Sequence, residues 1–356
     1  MQNYIRIKPS WQIFAQNDTL IFYNSYGKEI SFLLSYVMKT VLLLLATPVT
    51  EAGLIQTLAK TIAASKMDTK ALIEKMKSLH ILENYSPKQI KSNTYQKFQT
   101  QLSFFDLLTP LPSVQSKIEQ QQKLKVTKIM VIGCGGIGCA LLQSIAAAGI
   151  GQITIIDGDK VEISNLSKQL LFTQQDIGAY KTVAAKNKLL QMAPGAVILP
   201  ITTFINSADH LTDIITETSK PDFIFLSADE PKLPLWLDVV CKKLSTPFMK
   251  VSYLGTVGFI GPLVVPDGKS FSQIIDTSSI EQLHNELTNL HNENHKHAST
   301  VFTNTVIANL AVIELVKFIL RIGEIKTTGR RLYFNFETMG LLFDEEVKTG
   351  YSYPEE

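Results

Sequence analysis

The chain has 356 residues, of which 45% are hydrophobic and 19% are charged, and its formal net charge is +2 at pH 7. This composition excludes an intrinsically disordered protein, and the length suffices for one large domain and a smaller one. A net charge so close to zero gives no electrostatic footprint for nucleic acid, so we expect no nucleic-acid partner.

Cysteine usage and hydropathy indicate the compartment. The cysteines are Cys134, Cys139 and Cys241, without a CxxC pair, so we expect no disulfides and a reducing environment. The apolar stretch from Val41 to Ala46 is too short to cross a bilayer, and no basic segment leads into a long apolar one near the first residue. We therefore expect a cytoplasmic protein with no signal peptide and no membrane partner.

Residues 1–85 have the pattern of a small α+β domain. Apolar residues alternate in places over residues 1–33, which predicts two or three antiparallel strands. A first helix is predicted over residues 35–45. A second is predicted to begin after Thr47 as N-cap, with Pro48 in its first turn, and a third after Asp68 as N-cap. A strand over residues 80–83 follows. Residues 86–125 are rich in Gln, Lys and Ser, and predict a linker with a lead-in helix.

The stretch from Lys128 to Asp157 has the pattern of a nucleotide site. An apolar run over residues 129–132 predicts a buried strand, and a helical pattern over 137–148 and a second apolar run ending in Asp157 follow. The glycines between the first strand and the helix are Gly133, Gly135, Gly136 and Gly138. Glycines let the backbone turn tightly towards a phosphate at the helix N-terminus, and the acid can bind ribose hydroxyls. Dinucleotide oxidoreductases and some ATP enzymes share this turn.

The alternation of strands and helices continues beyond residue 181. Strands are predicted over 197–204, 222–227, 248–253 and 256–265, helices over 208–218, 233–244 and 302–321, and a hairpin from 332–336 and 341–343. This order predicts an α/β fold with a Rossmann-like, mainly parallel sheet and helices on both faces. Gly133, Asp157 and Asp229 then lie at the carboxyl edge of the sheet, where ligands bind.

Short motifs downstream of the glycine turn narrow the choice of nucleotide. Asp157-Gly-Asp159 is followed by SNLSKQ at residues 164–169 and DIGAYK at residues 176–181. The chain from Lys128 to near Arg321 resembles the ThiF/MoeB superfamily of adenylating enzymes, related to ubiquitin-activating enzymes, with its GxGGxG, DxD, SNLxRQ and DIGxxK motifs. The resemblance implies an enzyme that activates a carboxylate with ATP and Mg²⁺, through an acyl-adenylate, and releases AMP and pyrophosphate.

The same resemblance implies roles for individual residues. Asp157 would hold the ribose, Asn165 and Lys181 the phosphates, and Asp229 the magnesium ion. Gly135 and Gly136 would approach the nucleotide, with Gly133, Gly138, Asp159 and Gln169 completing its site. Lys168 stands where the family has an arginine finger, and lysine keeps the charge but loses the bidentate fork. For Asp159 and Lys168, a merely solvated side chain is the alternative.

One further position and several absences bear on assembly and metal use. Lys97 stands where the family often has the second arginine of an Arg-Tyr-x-Arg sequence. In the family this arginine reaches into the partner subunit, which implies a homodimer; a solvated lysine is the alternative.

The paired CxxC motifs of many members are missing, so we expect no zinc, and residues 267–300 contain no cysteine for a thioester. His291, His295 and His297 form an alternative metal cluster.

Residues 1–85 resemble the peptide-recognition element of enzymes that modify ribosomally made peptides, in which a leader peptide adds as a strand to a sheet edge. A packing or dimerisation domain and a DNA-binding winged helix are alternatives. Together with a core of residues 126–356 and a crossover loop at 267–300, this layout resembles the peptide-modifying branch of the family. It implies carboxylate adenylation on a precursor peptide in peptide-antibiotic biosynthesis, with cyclisation from glutamate side chains as one form. An NAD-dependent oxidoreductase and a non-catalytic peptide-binding scaffold remain alternatives.

Overall fold

The structure, a computed structural model, describes residues 3–24, 29–62, 65–275 and 299–344. The chain divides into two compact units, Met1–Lys123 and Leu124–Glu356. The boundary lies well beyond residue 85, where we expected the first domain to end.

The first unit combines short antiparallel strands with helices. Its strands are β1 Tyr4–Ile7, β2 Gln12–Gln16, β3 Thr19–Tyr23, β4 Glu29–Leu33 and β5 Leu82–Tyr85. Its helices are α1 Tyr36–Leu45, α2 Glu51–Thr61, α3 Lys66–Ser78, α4 Pro87–Ile90, α5 Asn93–Leu108 and α6 Val114–Val126, the last of which runs into the second unit. Strands β2, β3 and β4 form one antiparallel sheet, and β1 pairs with β5 in another. The buried faces of α1, α2 and α3 meet β1 and β3 around Phe22, Leu54 and Met76.

Two predicted helix starts are wrong by one turn. Helix α2 is capped by Thr50, whose Oγ1 accepts a hydrogen bond from Gly53 N at 3.0 Å, and not by Thr47. The helix begins later because Val49 forms a β-bridge with Ile5 of β1, in which the Val49 carbonyl accepts a hydrogen bond from Ile5 N at 2.9 Å. Helix α3 is capped by Ser65, and Asp68 instead occupies the first turn, where an acid favours the helix dipole.

The segment expected to be a linker is mostly helical. Gln and Lys are good helix formers, so its polar composition does not exclude helix. Buried ion pairs explain why it belongs to the first unit: Lys117 Nζ lies 2.6 Å from Glu83 Oε2, and Lys8 Nζ lies 2.8 Å from Asp106 Oδ1. These four side chains are at most 2% exposed, so the fold of the first unit requires residues up to at least Lys117.

The second unit contains the strands and helices that position the site. Its strands are β6 Lys128–Ile132, β7 Gln152–Ile156, β8 Val197–Ile201, β9 Phe223–Leu226, β10 Phe248–Leu254, β11 Val257–Val264, β12 Leu332–Asn335 and β13 Gly340–Phe343. Its remaining helices are α7 Gly136–Ala147, α8 Lys181–Met192, α9 Ala208–Glu217, α10 Leu233–Leu244, α11 Phe271–Ile274 and α12 Val301–Leu320. Residues 276–298, which hold His291, His295, His297 and most of the predicted crossover loop, lie outside the described part of the chain.

The strand order confirms the predicted α/β fold. In the described residues the sheet runs β8-β7-β6-β9-β10-β11-β12-β13, with β8 to β10 parallel and β11 to β13 antiparallel. The order reverses between β6 and β9, which are neighbours although two strands, β7 and β8, and three helices, α7, α8 and α9, separate them along the chain. In doubly wound sheets this switch point opens a crevice at the carboxyl ends of the strands.

Helix α12 is the one described helix that is long and apolar enough, by length and composition alone, to cross a membrane. Half of its most apolar window is buried inside the second unit. Its Glu314 is 4% exposed and accepts hydrogen bonds from the backbone N–H groups of Lys326 and Thr327, at 2.6 and 3.0 Å. These contacts are those of a core helix of a globular unit.

Candidate active site

The glycine turn lies at the switch point of the sheet. Gly133 has φ +96°, a conformation that favours glycine, and a Cβ atom there would lie 2.7 Å from Ala228 N, just beyond β9. A Cβ atom on Gly138 would lie 2.0 Å from the Gly133 carbonyl oxygen. The turn therefore packs closely against both α7 and the end of β9, and larger side chains at these positions would force them apart.

The next two glycines differ in what surrounds them. A Cβ atom on Gly135 would meet nothing within 4 Å, so the backbone at the N-terminus of α7 faces open space, as an anion site requires. A Cβ atom on Gly136 would instead lie 2.0 Å from Asn304 Nδ2 of α12. Asn304 is 1% exposed and donates to Ser299 Oγ at 3.0 Å and to the Lys168 carbonyl at 3.4 Å. It joins the glycine turn to the SNLSKQ segment, a role that we did not predict.

Asp157 fixes the turn with both carboxylate oxygens. Its Oδ2 accepts a hydrogen bond from Cys134 N at 2.6 Å, and its Oδ1 accepts one from Asp159 N at 2.8 Å. Burial raises the pKa of Asp157 above its ordinary value, although these N–H groups and the charge of Lys181 oppose the rise. Each carboxylate oxygen can accept a second hydrogen bond, so the geometry is compatible with ribose hydroxyl donors.

Lys181 and Asp159 form an ion pair at the start of α8. Lys181 Nζ lies 2.7 Å from Asp159 Oδ2, and the Lys181 N–H donates to the Asp159 carbonyl at 2.9 Å. Burial lowers the pKa of Lys181, but the bond to Asp159 and the charges of Asp157 and Asp159 outweigh it, so the net pKa is raised. Lys181 thus remains a cation beside Asp157, and Asp159, whose side chain is 52% exposed, has Lys181 as an ion-pair partner in addition to solvent.

The SNLSKQ segment forms a short turn in which the predicted residues are close together. Asn165 is 8% exposed, and its Oδ1 accepts a hydrogen bond from Glu162 N at 3.0 Å. Gln169 is 3% exposed, and its Oε1 has no hydrogen-bond partner among the described residues. Lys168 is half-buried, and within the same residues its ammonium group has no ion-pair partner. An amide acceptor and a cation therefore remain available to a ligand.

Asp229 lies on the other side of the switch point, after β9, and is exposed. It lines a cavity of about 240 Å³ together with Lys250 of β10 and Arg331, which precedes β12. Burial lowers the pKa of Lys250, Asp229 opposes this shift, and Arg331 adds to it. Lys250 and Arg331 were not predicted. A lysine between the apolar residues Met249 and Val251 of a strand was the available signal for Lys250.

Lys97 and the cysteines are the other residues that the sequence analysis singled out. Lys97 lies in the first unit, exposed on α5, with its ammonium 5.1 Å from the Phe98 ring centroid. Cys134, Cys139 and Cys241 are buried and free. The pKa of the Cys134 thiol is raised, chiefly by its hydrogen bond with Cys139 and secondly by burial. Within the described ranges, no group of three or more His, Cys, Asp or Glu side chains could hold a metal ion.

Solved structures with the same fold cover nearly the whole chain. E. coli MccB, solved with AMPCPP and MccA, superposes with a TM-score of 0.75 and 22% identity over 96% of each chain. PaaA superposes with a TM-score of 0.75 and 18% identity, over 94% of this chain and 98% of that one. At such identities the likeness shows the fold alone.

Sequence relatives are named adenylyltransferases. The probable molybdopterin-synthase adenylyltransferase of Porphyra purpurea is 42% identical over 97 residues, 27% of this chain and 25% of that protein. The molybdopterin-synthase adenylyltransferase of E. coli K12 is 29% identical over 149 residues, 42% of this chain and 58% of that protein. These alignments span less than two thirds of either relative. Residues 109–349 match the profile described as the ThiF family, and since this is more than half of the sequence, the chain belongs to the ThiF family.

Proposed function

We propose that the chain adenylates a carboxylate of a ribosomally made precursor peptide, with ATP as co-substrate and Mg²⁺ as cofactor. Pyrophosphate leaves when the acyl-adenylate forms, and AMP leaves when a nucleophile attacks it. The observation that carries this proposal is the arrangement at the switch point. An open glycine turn, an acid and a buried cation lie on one side, and Asp229 with a cation-lined cavity lies on the other. Adenylation needs two neighbouring groups of binding residues, since a nucleotide and a carboxylate must meet at the α-phosphate.

Each nucleotide-side residue has a role that its contacts support. Asp157 accepts hydrogen bonds from the ribose hydroxyls. Lys181 and Lys168 counter the charge that grows on the leaving pyrophosphate, because preorganised cations stabilise developing negative charge. Asn165 and Gln169, which are buried and flank Lys168 in the sequence, contribute neutral hydrogen bonds. Lys181 would exchange its present partner, Asp159, for a phosphate oxygen.

Asp229 is the residue that would hold Mg²⁺. The ion usually keeps several waters and binds through one or two carboxylates and the substrate's phosphates, so it does not require a cluster of protein ligands. An exposed carboxylate at the carboxyl edge of the sheet fits this mode of binding. When bound, the ion would neutralise charge on the triphosphate.

The first unit is proposed to bind the leader part of the peptide. In its three-stranded sheet, β2 is an edge strand with all five residues exposed, so its backbone can pair with an added strand. The relevant unit is residues 1–123, not 1–85, because the buried ion pairs reach Lys117. A homodimer in which Lys97 enters the partner's site, and a cytoplasmic location, also remain proposals.

A second candidate is adenylation of a protein, molybdopterin synthase. The names of the sequence relatives favour it, and the fold likeness to MccB and PaaA, which extends over both units, favours a peptide. The two candidates share the chemistry at the switch point and differ only in the protein or peptide that supplies the carboxylate.

The deciding experiment mixes the full chain with ATP, Mg²⁺ and the short peptide encoded beside its gene, and reads the products by mass spectrometry. AMP, pyrophosphate and a changed peptide mass are expected. Asp229→Asn should abolish AMP release while peptide binding persists. Turnover with molybdopterin synthase but not with the peptide would favour the second candidate.

The other functions that the same fold could carry have their own outcomes in this assay. ADP and phosphate as products would mean phosphoryl transfer and would contradict adenylation. Tight NADH binding without competition from ATP would favour an oxidoreductase. Nucleotide binding with no turnover on any substrate would favour a scaffold.

A further inference from the structure

The cavity beside Asp229 has a composition that the nucleotide does not explain. It is lined by β10 and β11 and by apolar and aromatic side chains, among them Tyr253, Phe259 and Phe271. The glycine turn and the lysines of the SNLSKQ and DIGAYK segments follow β6 and β7, on the other side of the switch point. A triphosphate is polar throughout and adenine carries no negative charge, so apolar walls that include Lys250 and Arg331 suit a group with both methylenes and a negative charge.

Lys250 is the unexplained charge in this cavity. It lies in the middle of β10, between buried Met249 and Val251, and the described residues offer its ammonium no hydrogen bond or ion pair. Keeping a lysine partly desolvated without a partner is unfavourable. Asp229 opposes the resulting pKa shift, but at a separation that forms no ion pair. An anion that enters the cavity would give the ammonium a partner.

Arg331 adds a second, fixed cation. Arg331 donates hydrogen bonds to the Asp344 carboxylate from its Nε at 3.0 Å and from its backbone N–H at 2.6 Å. The guanidinium carbon of Arg331 lies 6.0 Å from the Phe259 ring centroid. An arginine held in this way is preorganised to recognise a planar anion such as a carboxylate. Asp344 already balances the charge of Arg331, so among the described lining residues Lys250 is the cation without an ion-pair partner.

We propose that this cavity binds a carboxylate of the peptide substrate, with Lys250 as its direct partner and Arg331 as the second cation. This assignment rests on the proposed function and names the substrate class, an acidic group on a single residue. The volume of about 240 Å³ supports a single residue, because pockets that enclose drug-sized ligands measure roughly 300–1,000 Å³. The carboxylate belongs either to the peptide C-terminus or to an acidic side chain.

The test uses small probes of matched shape on the full chain, with AMPCPP and Mg²⁺ present so that no turnover occurs. N-acetylglutamine carries only an α-carboxylate, N-acetylglutamate α-amide carries only a side-chain carboxylate, and N-acetylglutamine amide carries none. Calorimetry gives the affinity of each probe for wild type, for Lys250→Met and for Lys242→Met, which replaces an exposed lysine of α10.

At least one acidic probe should bind wild type and Lys242→Met equally, and should lose about tenfold or more in affinity with Lys250→Met, as for a charge-assisted hydrogen bond. The acid that binds names the source of the carboxylate. ATP affinity should be unchanged in Lys250→Met, and its melting temperature should stay level or rise, because an unpaired ammonium has been removed.

Three outcomes would overturn the assignment: binding of the neutral amide as tightly as the acids, equal binding of the acids by Lys250→Met, or no acid binding by wild type. A large fall in the melting temperature of Lys250→Met would also contradict it, since the lysine would then be structural. Lys250-dependent binding of an acid by a chain that releases no AMP with any peptide would support the cavity assignment and refute adenylation.

Discussion

The role of Asp157 can be tested by removing the ribose hydroxyls and the carboxylate in turn. Its two oxygens already accept the N–H groups of Cys134 and Asp159. Asp157→Asn leaves one oxygen and places an amide N–H₂ against a backbone donor, so ATP affinity should fall even if ribose is not bound there. A single variant therefore cannot separate a turn-fixing role from a ribose-binding role.

A thermodynamic cycle separates the two roles. The dissociation constants of ATP and of 2′,3′-dideoxy-ATP are measured by calorimetry for wild type and for Asp157→Asn. A hydrogen bond to a charged acceptor contributes about 1.5–3 kcal/mol, so loss of the hydroxyls should weaken binding to wild type by roughly 10- to 150-fold. In Asp157→Asn most of this penalty should disappear, because the charged acceptor is absent.

Asp222→Asn is the matched control. Asp222 also accepts a backbone N–H, that of Lys128 at 2.8 Å, but it precedes β9 and so lies at the opposite, amino edge of the parallel strands. Its dideoxy penalty should equal that of wild type. A penalty that stays the same in Asp157→Asn would refute the assignment of the ribose to this acid.

Three further perturbations follow from other contacts. Lys181→Met should weaken ATP binding by about tenfold or more, as for a lost charge-assisted bond, measured by calorimetry, and an unchanged affinity would contradict its phosphate role. Gly136→Ala should also weaken ATP binding, because its Cβ would lie 2.0 Å from Asn304 Nδ2, and Asn304→Ala in the same chain should restore part of the affinity. Asp106→Ala should reduce the free energy of unfolding by about 3–5 kcal/mol, seen in urea titrations, because buried Lys8 loses its ion-pair partner and buried Lys117 keeps only Glu83; a loss below 1 kcal/mol would contradict this.

The glycine turn, Asp157 and Lys181 could be predicted because their contacts follow from local chain order. A strand, a turn, a helix and a second strand are consecutive, and parallel pairing of β6 with β7 brings the ends of both strands to one edge. The pattern of apolar residues sets that pairing. The predicted starts of α2 and α3 failed for the converse reason: Val49 is held by Ile5 from a distant strand, and no local pattern contains that contact.

Lys250 and Asn304 could not be predicted, because their surroundings come from elements far apart in the sequence. Lys250 has the sequence context of a buried strand, and only the fold shows that it lines a cavity with Arg331. Asn304 meets Gly136 and the carbonyl of Lys168 only once α12 packs on α7. The extent of the first unit escaped prediction similarly, because a buried pair such as Lys117 with Glu83 depends on burial, which residue composition does not reveal.

The strand order also suggests why the site divides as it does. In a sheet ordered β8-β7-β6-β9-β10, the residues that follow β6 and β7 can only face one side of the crevice, and those that follow β9 and β10 face the other. Lys181 and Asp157 belong to the first side. Asp229, which follows β9, belongs to the second, and Lys250 lies on β10 itself, level with the last residue of β9. The two sides adjoin where Gly133 packs against Ala228, one residue before Asp229. If the α-phosphate binds at this junction, it lies between the carboxylate that attacks it and the pyrophosphate that leaves it. Substitutions on the β10 side should then change which carboxylate is adenylated without changing which nucleotide binds.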